Sequence, residues 1–133
     1  MFQSLKFFSN KIALIDSNNK KITYKKLVED SEFIKKNLNK KSINLIIASN
    51  TYESICGYIG FLNQSKNITI LLDESFNNKF INKIISIYKP NFIYSPINFK
   101  FTLNFFKVIK FRNYVLYKTK FKNNKKINFK NYL

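Results

Sequence analysis

Residues 43–72 read INLIIASNTYESICGYIGFLNQSKNITILL, and this stretch decides the fold. Residues 43–48 are a short β-branched run of the kind that is buried on both faces of a parallel sheet, and residues 67–72 are a second such run. Residues 52–62, between the two runs, carry apolar side chains at helical spacing. A strand, a helix and a strand in this order predict a βαβ unit with parallel strands.

The helix of this unit has a predicted start and a predicted packing face. Asn50 can cap its amino end, and Glu53 occupies the reciprocal capping position. Gly57 and Gly60 lie inside it, and because each glycine costs a helix about 1 kcal/mol relative to alanine, we expect close packing of the helix against the sheet. The residues expected to face inward share one helical stripe: Tyr52, Ile55, Cys56, Ile59 and Leu62.

The segments on either side extend the alternation of strands and helices. Those on the amino side are strands at residues 11–16 and 21–23 around a turn at 17–20, then a helix over 24–38 with Thr23 as its cap. On the carboxyl side, a helix follows that Ser75 caps and that ends at Lys89-Pro90. Its apolar residues at helical spacing are Phe80, Ile81, Ile84, Ile85 and Tyr88. Strands are predicted after it at residues 92–94, 105–111 and 114–118. The predicted fold class is α/β, with a small open, mainly parallel sheet built from βαβ crossovers, preceded by a short β-hairpin and followed by extra strands.

The composition excludes most known catalytic arrangements. The chain has 133 residues, with two glycines, one cysteine and no histidine. A Gly-rich phosphate loop needs several glycines where backbone amides approach a phosphate, and a Ser-His-Asp triad or a histidine-containing zinc site needs histidine. A single cysteine forms no internal disulfide, and Cys56 is expected to be a small core residue because it lies in an apolar run. We therefore predict no catalytic, cofactor-binding or metal-binding residue in this chain.

Positive charge is the second compositional feature. The formal net charge is +17, from 24 Lys and Arg against 7 Asp and Glu. Residues 1–74 hold all the acidic residues, whereas residues 75–133 hold twelve lysines and Arg112 without an acid. Because AT-rich codons encode the abundant Lys, Asn, Ile, Phe and Tyr, we attribute the charge to an AT-rich genome. Arg112 is the only arginine, although nucleic-acid surfaces favour the guanidinium group, so we expect nucleic acid to bind only through nonspecific attraction.

An alternative function is that of a small basic module for RNA or single-stranded DNA. Residues 118–130 form a basic, Asn-rich stretch. Aromatic side chains at Phe99, Phe101, Phe121 and Phe129 offer surfaces on which bases could stack. This alternative predicts an affinity that falls steeply as the salt concentration rises.

The sequence contains no convincing membrane or targeting segment. Lys6, Asn10 and Lys11 interrupt the amino-terminal apolar residues, so they do not form the apolar region of a signal peptide. The longest apolar run, residues 55–62, is far shorter than the roughly 20 residues that span a bilayer. We expect a cytoplasmic chain without a membrane partner.

Several short motifs follow one another in a recognisable order. They are Ala13-Leu14-Ile15 then Ile22-Thr23-Tyr24, the helix through Leu27 and Leu38, residues 43–50 running into Glu53, a strand ending at Leu72-Asp73, and Lys89-Pro90-Asn91-Phe92-Ile93. In this order they resemble the amino-terminal part of the adenylate-forming superfamily of AMP-dependent synthetases and ligases, which includes acyl-CoA synthetases, peptide-synthetase adenylation domains and luciferases. Two departures are Lys26, where the family often has the glutamate of a capping box, and residues 64–67, where it commonly has a glycine.

The resemblance implies that residues 1–98 correspond to the N-terminal subdomain of such an enzyme, and that residues 99–133 add strands and a basic tail. The complete family uses ATP and Mg²⁺ to adenylate a carboxylate, with a phosphate loop, an adenine-binding strand and a mobile C-terminal domain that follow this region. Because the residues after Pro96 contain no glycine and no acid, we expect a fragment truncated before the phosphate loop, inactive alone and without a cofactor. The expected partner is the missing remainder of the enzyme. A further alternative is that the chain is one half of a scaffold, whose sheet a separately encoded partner completes.

Overall fold

The computed structural model describes residues 8–122. Its elements, in chain order, are β1 (Ile12–Ile15), β2 (Lys21–Thr23), α1 (Tyr24–Lys35), β3 (Ile43–Ala48), α2 (Tyr52–Asn63), β4 (Ile68–Asp73), α3 (Asn78–Tyr88), β5 (Phe92–Pro96), β6 (Phe106–Phe111) and β7 (Tyr114–Lys118). Every predicted strand and helix is present, and their ends differ from the predicted ones by a few residues at most.

Five strands form one sheet in the order β4-β3-β5-β7-β6, and β1 pairs with β2 in a separate antiparallel hairpin. β3 pairs in parallel with both β4 and β5. β7 joins this parallel part by antiparallel pairing with β5, and β6 pairs antiparallel with β7. The predicted α/β class is therefore confirmed, with crossover helices between the parallel strands and two extra strands after them.

Local backbone conformations explain several element ends. Thr23 caps α1 because its Oγ1 accepts a hydrogen bond of 3.3 Å from the backbone N–H of Lys26. Asn19, in the turn between β1 and β2, has a φ of 59°, a conformation that asparagine tolerates better than most residues. α3 ends where Lys89 adopts a left-handed conformation with a φ of 47°, because proline at position 90 disfavours the helical conformation in the residue before it.

Two predicted helix caps are wrong. Thr51, and not Asn50, caps α2 through an Oγ1 that accepts a backbone hydrogen bond of 3.4 Å. Asn77, and not Ser75, caps α3 through an Oδ1 that accepts a backbone hydrogen bond of 2.8 Å. In both places several cap-competent residues follow one another, so the pattern of residue types does not select one of them.

Side chains on the two faces of the sheet form two separate cores. On one face, Ile46 and Tyr94 pack with residues of α1 and α2. On the other face, Ile93 and Val115 pack with Ile85 of α3. We call these the α1/α2 face and the α3 face.

The position of β4 at the edge of the sheet changes what is buried. Among residues 8–122, β4 has a neighbouring strand on one side only. It is half-buried, and Leu71 is 52% exposed. On α2, Ile55 and Leu62 are exposed, although the predicted stripe places them inward. Of the apolar α3 residues, Ile81 and Ile85 alone are buried. Apolar side chains are therefore exposed on β4, on α2, which precedes it, and on α3, which follows it.

The helices are short, since α1 and α2 have 12 residues each and α3 has 11. Within residues 8–122, none of them is long and apolar enough to cross a membrane.

Candidate functional site

The carboxyl ends of β3, β4 and β5 lie at one end of the sheet because these strands are parallel. β7 runs in the opposite direction and begins at this end. Open α/β sheets bind ligands at the carboxyl ends of their strands, so this end is the candidate site. The polar side chains that meet there, here called the carboxyl-end cluster, are Asp30, Ser49, Tyr52, Glu53, Cys56, Tyr94, Arg112 and Tyr114.

Tyr114 connects the start of β7 to the end of β3. Its side chain is fully buried, and its hydroxyl donates a hydrogen bond of 3.1 Å to the carbonyl oxygen of Ile47. The hydroxyl oxygen of Tyr114 also accepts a hydrogen bond of 3.0 Å from the backbone N–H of Ser49, and it lies 2.6 Å from the Oγ of Ser49. A single phenol therefore satisfies the backbone groups where the chain leaves β3 for α2.

A buried polar pair joins α1 to α2. The hydroxyl of Tyr52 donates a hydrogen bond of 2.8 Å to one carboxylate oxygen of Asp30, and the ammonium group of Lys26 lies 2.8 Å from the other. Asp30 is 8% exposed, and burying a carboxylate is tolerated only when it is paired and hydrogen-bonded. Lys26, which departs from the sequence pattern of the resembled family, is thus the cation that Asp30 needs.

The one arginine of the chain closes the cluster from the turn between β6 and β7. The guanidinium group of Arg112 lies 4.8 Å from the ring centre of Tyr52 and 5.7 Å from that of Phe111. Its Nη1 is 3.8 Å from a carboxylate oxygen of Glu53. An arginine over an aromatic ring contributes about 0.5–1 kcal/mol at an exposed site. Arg112 therefore fastens the β6–β7 hairpin to the start of α2.

The two glycines let α2 approach its neighbours. A Cβ atom at Gly57 would overlap the ring of Tyr94, and one at Gly60 would lie 2.7 Å from the backbone oxygen of Ser31. The hydroxyl of Tyr94 donates a hydrogen bond of 3.0 Å to the carbonyl oxygen of Glu53, which holds the ring beside the helix. The predicted packing against the sheet is confirmed for Gly57, whereas Gly60 faces α1 and not the sheet.

Burial raises the pKa values of one thiol and two phenols of the cluster. It raises the pKa of the Cys56 thiol to about 12. It also raises the pKa of Tyr52, with a further contribution from hydrogen bonds to Cys56 and Asp30, and the pKa of Tyr94. Because the thiolate is the reactive form of cysteine, Cys56 has no activated nucleophile character. It is fully buried, as predicted for a small core residue.

The contacts of the carboxyl-end cluster are structural ones. The hydrogen bonds of Tyr114 and Tyr52 and the ion pair of Arg112 each join two elements of the chain, and together they hold α1, α2 and the β6–β7 hairpin around the end of β3. Among residues 8–122, no three His, Cys, Asp or Glu side chains are grouped so as to hold a metal ion. The prediction that this chain contributes no catalytic or cofactor-binding residue stays a prediction.

Sequence reasoning missed the two charged members that organise the cluster. Asp30 lies three residues after Leu27 and four before Ile34, on the apolar stripe of α1, and an acid on such a stripe is a signal that could have revealed it. Arg112 reaches Tyr52 only because β6 and β7 fold back along the sheet. No local pattern indicates that contact.

A cavity of about 250 Å³ lies on the α3 face, between α3 and the segment that leads to β6. The side formed by α3 and its end is mostly polar, and the opposite side is mostly apolar. The lining residues are Asn82, Ile85, Ser86 and Lys89 on the first side, and Thr102, Leu103, Phe105 and Phe121 on the second. Asn82 accepts hydrogen bonds of 3.2 and 3.1 Å from the backbone and hydroxyl of Thr102, which tie the two walls together. The volume is below the roughly 300–1,000 Å³ of ordinary ligand pockets, so we assign it no ligand.

Three of the aromatic residues considered for base stacking belong to the core of the α3 face. Phe99, Phe101 and Phe121 pack against its buried residues, and the ring centres of Phe99 and Phe101 are 4.7 Å apart. Phe129 lies outside the described residues, as does the part of the basic tail that follows Lys122. These three aromatic side chains therefore pack within the protein, against the core of the α3 face.

Solved structures with this fold are adenylate-forming enzymes. The N-terminal subdomain of Klebsiella oxytoca NpsA superposes with a TM-score of 0.66 at 17% sequence identity, over 77% of this chain and 28% of that chain. The luciferase-like enzyme from the nonluminescent Zophobas morio mealworm gives a TM-score of 0.61 at 17% identity, over 69% of this chain and 23% of that chain. The anthranilate CoA ligase AuaEII, in complex with anthranoyl-AMP, gives a TM-score of 0.59 at 10% identity, over 68% of this chain and 19% of that chain.

These matches establish the fold. No protein-family model matches the chain, and no curated protein matches it either. The chain spans between 19% and 28% of the length of the three solved chains. The resemblance seen in the order of sequence motifs is thus confirmed as a likeness of fold to the N-terminal part of adenylate-forming enzymes.

Proposed function

We propose that this chain provides the N-terminal scaffold of an adenylate-forming ligase, an enzyme that activates a carboxylate with ATP to give an acyl-adenylate and pyrophosphate. The observation that carries the proposal is the superposition on the N-terminal subdomain of NpsA over 77% of this chain. The order of motifs between residues 13 and 96 supports it independently. A cytoplasmic location, where ATP is available, is part of the proposal.

In this proposal the chain contributes structure and another polypeptide contributes the reacting groups. Stabilising the charge on a transferred phosphate or adenylate needs preorganised backbone amides or a metal ion. Both glycines of this sequence stand inside α2, where they allow close packing, so none remains for a Gly-rich phosphate loop. The partner would be the remainder of the ligase, which would bring the groups that bind ATP and Mg²⁺.

An ATP–pyrophosphate exchange assay tests this proposal. The purified chain should give no exchange above background with aromatic or aliphatic carboxylates. Exchange should appear when the chain is mixed with the polypeptide encoded directly downstream of its own coding sequence. A mixture with a Tyr94→Ala chain serves as the control, because that substitution damages the scaffold and touches no reacting group.

Two results would overturn the proposal in different ways. Exchange by the chain alone would contradict its role as a scaffold. Downstream DNA that encodes no Ser/Thr/Gly-rich loop in any forward frame, together with no exchange in any mixture, would contradict the assignment to a ligase.

We do not extend the proposal to specific recognition of RNA or single-stranded DNA. Phe99, Phe101 and Phe121 are packed against the sheet, and Arg112 is held by Tyr52 and Glu53. The lysines that remain are point charges, which attract any polyanion. Filter binding should therefore show similar, strongly salt-dependent affinities for RNA, single-stranded DNA and heparin, and a clear preference for one nucleic acid would favour the alternative.

A further inference from the structure

The two edge strands of the five-stranded sheet differ in how they are protected. An edge strand presents unpaired backbone N–H and C=O groups, and natural proteins block such edges with lysines, prolines or bulges. β6 has these devices: Lys107 and Lys110 lie on it, and its pairing with β7 shifts register between Lys107 and Ile109. β4 reads ITILLD, pairs with β3 in continuous register, and contains no lysine and no proline. The β4 edge is open to another strand.

Exposed apolar side chains lie on β4 and on the helices that precede and follow it, one on each face of the sheet. Leu71 lies on the α1/α2 face, because it pairs with Ile46, and it is 52% exposed. The exposed side of α2 is apolar as well, and it consists of Ile55, Tyr58 and Leu62. On α3 and the turn before it, the exposed apolar residues are Phe76, Phe80, Ile87 and Tyr88. A helix without a polar side is normally buried, so α2 indicates that this surface is covered.

The charge at this edge is unlike that of the rest of the chain. Residues 67–78 contain Asp73 and Glu74 and no lysine, although the chain as a whole carries a net charge of +17. The nearest cation in sequence is Lys66, two residues before β4. The edge is thus acidic at the carboxyl end of its strand and basic at the amino end.

This polarity suits antiparallel pairing with an identical strand. We propose that the β4 edge is a self-association surface whose occupant is the β4 strand of a second copy of this chain. A two-fold axis perpendicular to the sheet, midway between the two β4 strands and level with Ile70, places Ile70 opposite Ile70 of the second copy, and Leu71 opposite Thr69. Just beyond the ends of β4, this pairing brings Glu74 of each copy toward Lys66 of the other, which gives two identical charge pairs. Such isologous pairing closes on itself and joins the two sheets into one of ten strands.

The basic residues do not prevent this approach. β6, with its two lysines, lies at the far side of the sheet, four strand spacings or about 19 Å from β4. That distance exceeds the screening length of about 8–10 Å at physiological salt. The two-fold pairing also places the β6 strands of the two copies at opposite ends of the joined sheet. The lysines of β6 are therefore screened from the second copy.

Sedimentation velocity on the full chain tests this self-association. The sedimentation coefficient should rise with concentration from that of a monomer to that of a dimer, and it should stop there. Leu71→Lys should raise the dissociation constant by roughly tenfold or more, because it places one of the edge-protecting charges on β4 of both copies. Phe106→Lys is the matched control: it changes a side chain that is 71% exposed on the other edge, and it should leave the dissociation constant unchanged.

Charge reversal identifies the second copy as the occupant. Lys66→Glu and Glu74→Lys should each weaken the dimer by roughly three- to tenfold, because each change places like charges opposite one another at two points. The double variant Lys66→Glu/Glu74→Lys restores opposite charges and should recover most of the wild-type affinity. Circular dichroism would show whether the Leu71→Lys chain folds. If it does not fold, the variants at Lys66 and Glu74, which are exposed, still test the proposal.

Several outcomes would overturn the proposal. A chain that stays monomeric at every concentration would leave the β4 edge to a different polypeptide, and growth beyond a dimer would contradict the two-fold pairing. A dimer that Phe106→Lys weakens as much as Leu71→Lys, or a double variant without recovery, would place the contact elsewhere. None of these measurements involves adenylation, so their failure is separate from a failure of the proposed function.

Discussion

Tyr94 and Tyr58 are the same residue type on neighbouring elements, and the molecule treats them in opposite ways. Tyr94 is fully buried in the carboxyl-end cluster, where its ring lies beside Gly57 and its hydroxyl binds a backbone carbonyl. Tyr58 is 42% exposed on α2, among the apolar side chains that flank the β4 edge. The chain's own side chains fill the carboxyl-end cluster, whereas the apolar side chains of α2 and β4 stay exposed. The carboxyl-end cluster therefore contributes stability, whereas the β4 edge is the surface for which we proposed self-association.

The largest expected effect separates these two tyrosines directly. Tyr94→Ala should lower the free energy of unfolding by about 3–5 kcal/mol, since it empties a buried aromatic site. Tyr58→Ala should lower it by about 1 kcal/mol or less, because the side chain is 42% exposed and packs into no closed core. Urea denaturation of dilute protein measures both. Similar losses at the two positions would contradict the distinction between a filled and an uncovered region.

A smaller effect is expected where α2 meets α1. Gly60→Ala should destabilise the fold by about 1–3 kcal/mol, because the new methyl group would lie against the backbone oxygen of Ser31 and overpacking costs that much. This result opposes helix propensity, which favours alanine by about 1 kcal/mol. Thermal unfolding of the two proteins checks the sign. A stabilised Gly60→Ala protein would show that the two helices do not pack as closely as described.

The next prediction concerns one hydroxyl of the carboxyl-end cluster. Tyr114→Phe keeps the ring and removes the oxygen that binds Ile47 and Ser49, so the backbone groups after β3 lose a partner. The expected cost is about 1–2 kcal/mol in urea denaturation. Tyr88→Phe, at a side chain that is 49% exposed, is the matched control and should cost nothing measurable. Equal effects would show that the Tyr114 hydroxyl contributes no more than a solvated one.

The smallest effect is a pH dependence that comes from Cys56. Burial raises the pKa of its thiol to about 12 in the folded chain, whereas an exposed thiol titrates near pH 8.5, at about its ordinary pKa. Between these values the unfolded state binds fewer protons, so the free energy of unfolding should fall as pH rises above about 8.5, by at most about 1.4 kcal/mol per pH unit. Cys56→Ala should make this decline shallower between pH 8.5 and 9.5, before the tyrosines contribute. An unchanged slope would mean that the thiol is not buried.

The elements and the fold class follow from local patterns, whereas the neighbours of each element do not. Runs of β-branched residues and helical spacing locate β3, α2 and β4, because these patterns reflect burial within a single element. They do not reveal that β3 is central and β4 is at the edge, since both runs have the same character. Ile55 was assigned inward for a related reason: α2 is apolar all round, so its spacing defines no unique inner side.

The carboxyl-end cluster could be predicted only in part. The glycines indicated close packing because a helix tolerates them at a cost, and that inference needs no partner. The partners themselves are distant in sequence, as Tyr94 is from Gly57 and Arg112 is from Tyr52. Contacts of this kind depend on strand order, which periodicity does not encode.

Amide hydrogen exchange, measured residue by residue in dilute and in concentrated protein, tests the contrast between the two regions most directly. The amides of β7 (Tyr114–Lys118), which has a paired strand on each side, should be protected at both concentrations. The amides of β4 (Ile68–Asp73) that do not bond to β3 should exchange quickly in dilute protein and become protected as the concentration rises. Protection of those β4 amides in dilute protein, or rapid exchange in β7, would contradict the division into a self-contained carboxyl-end cluster and an open β4 edge.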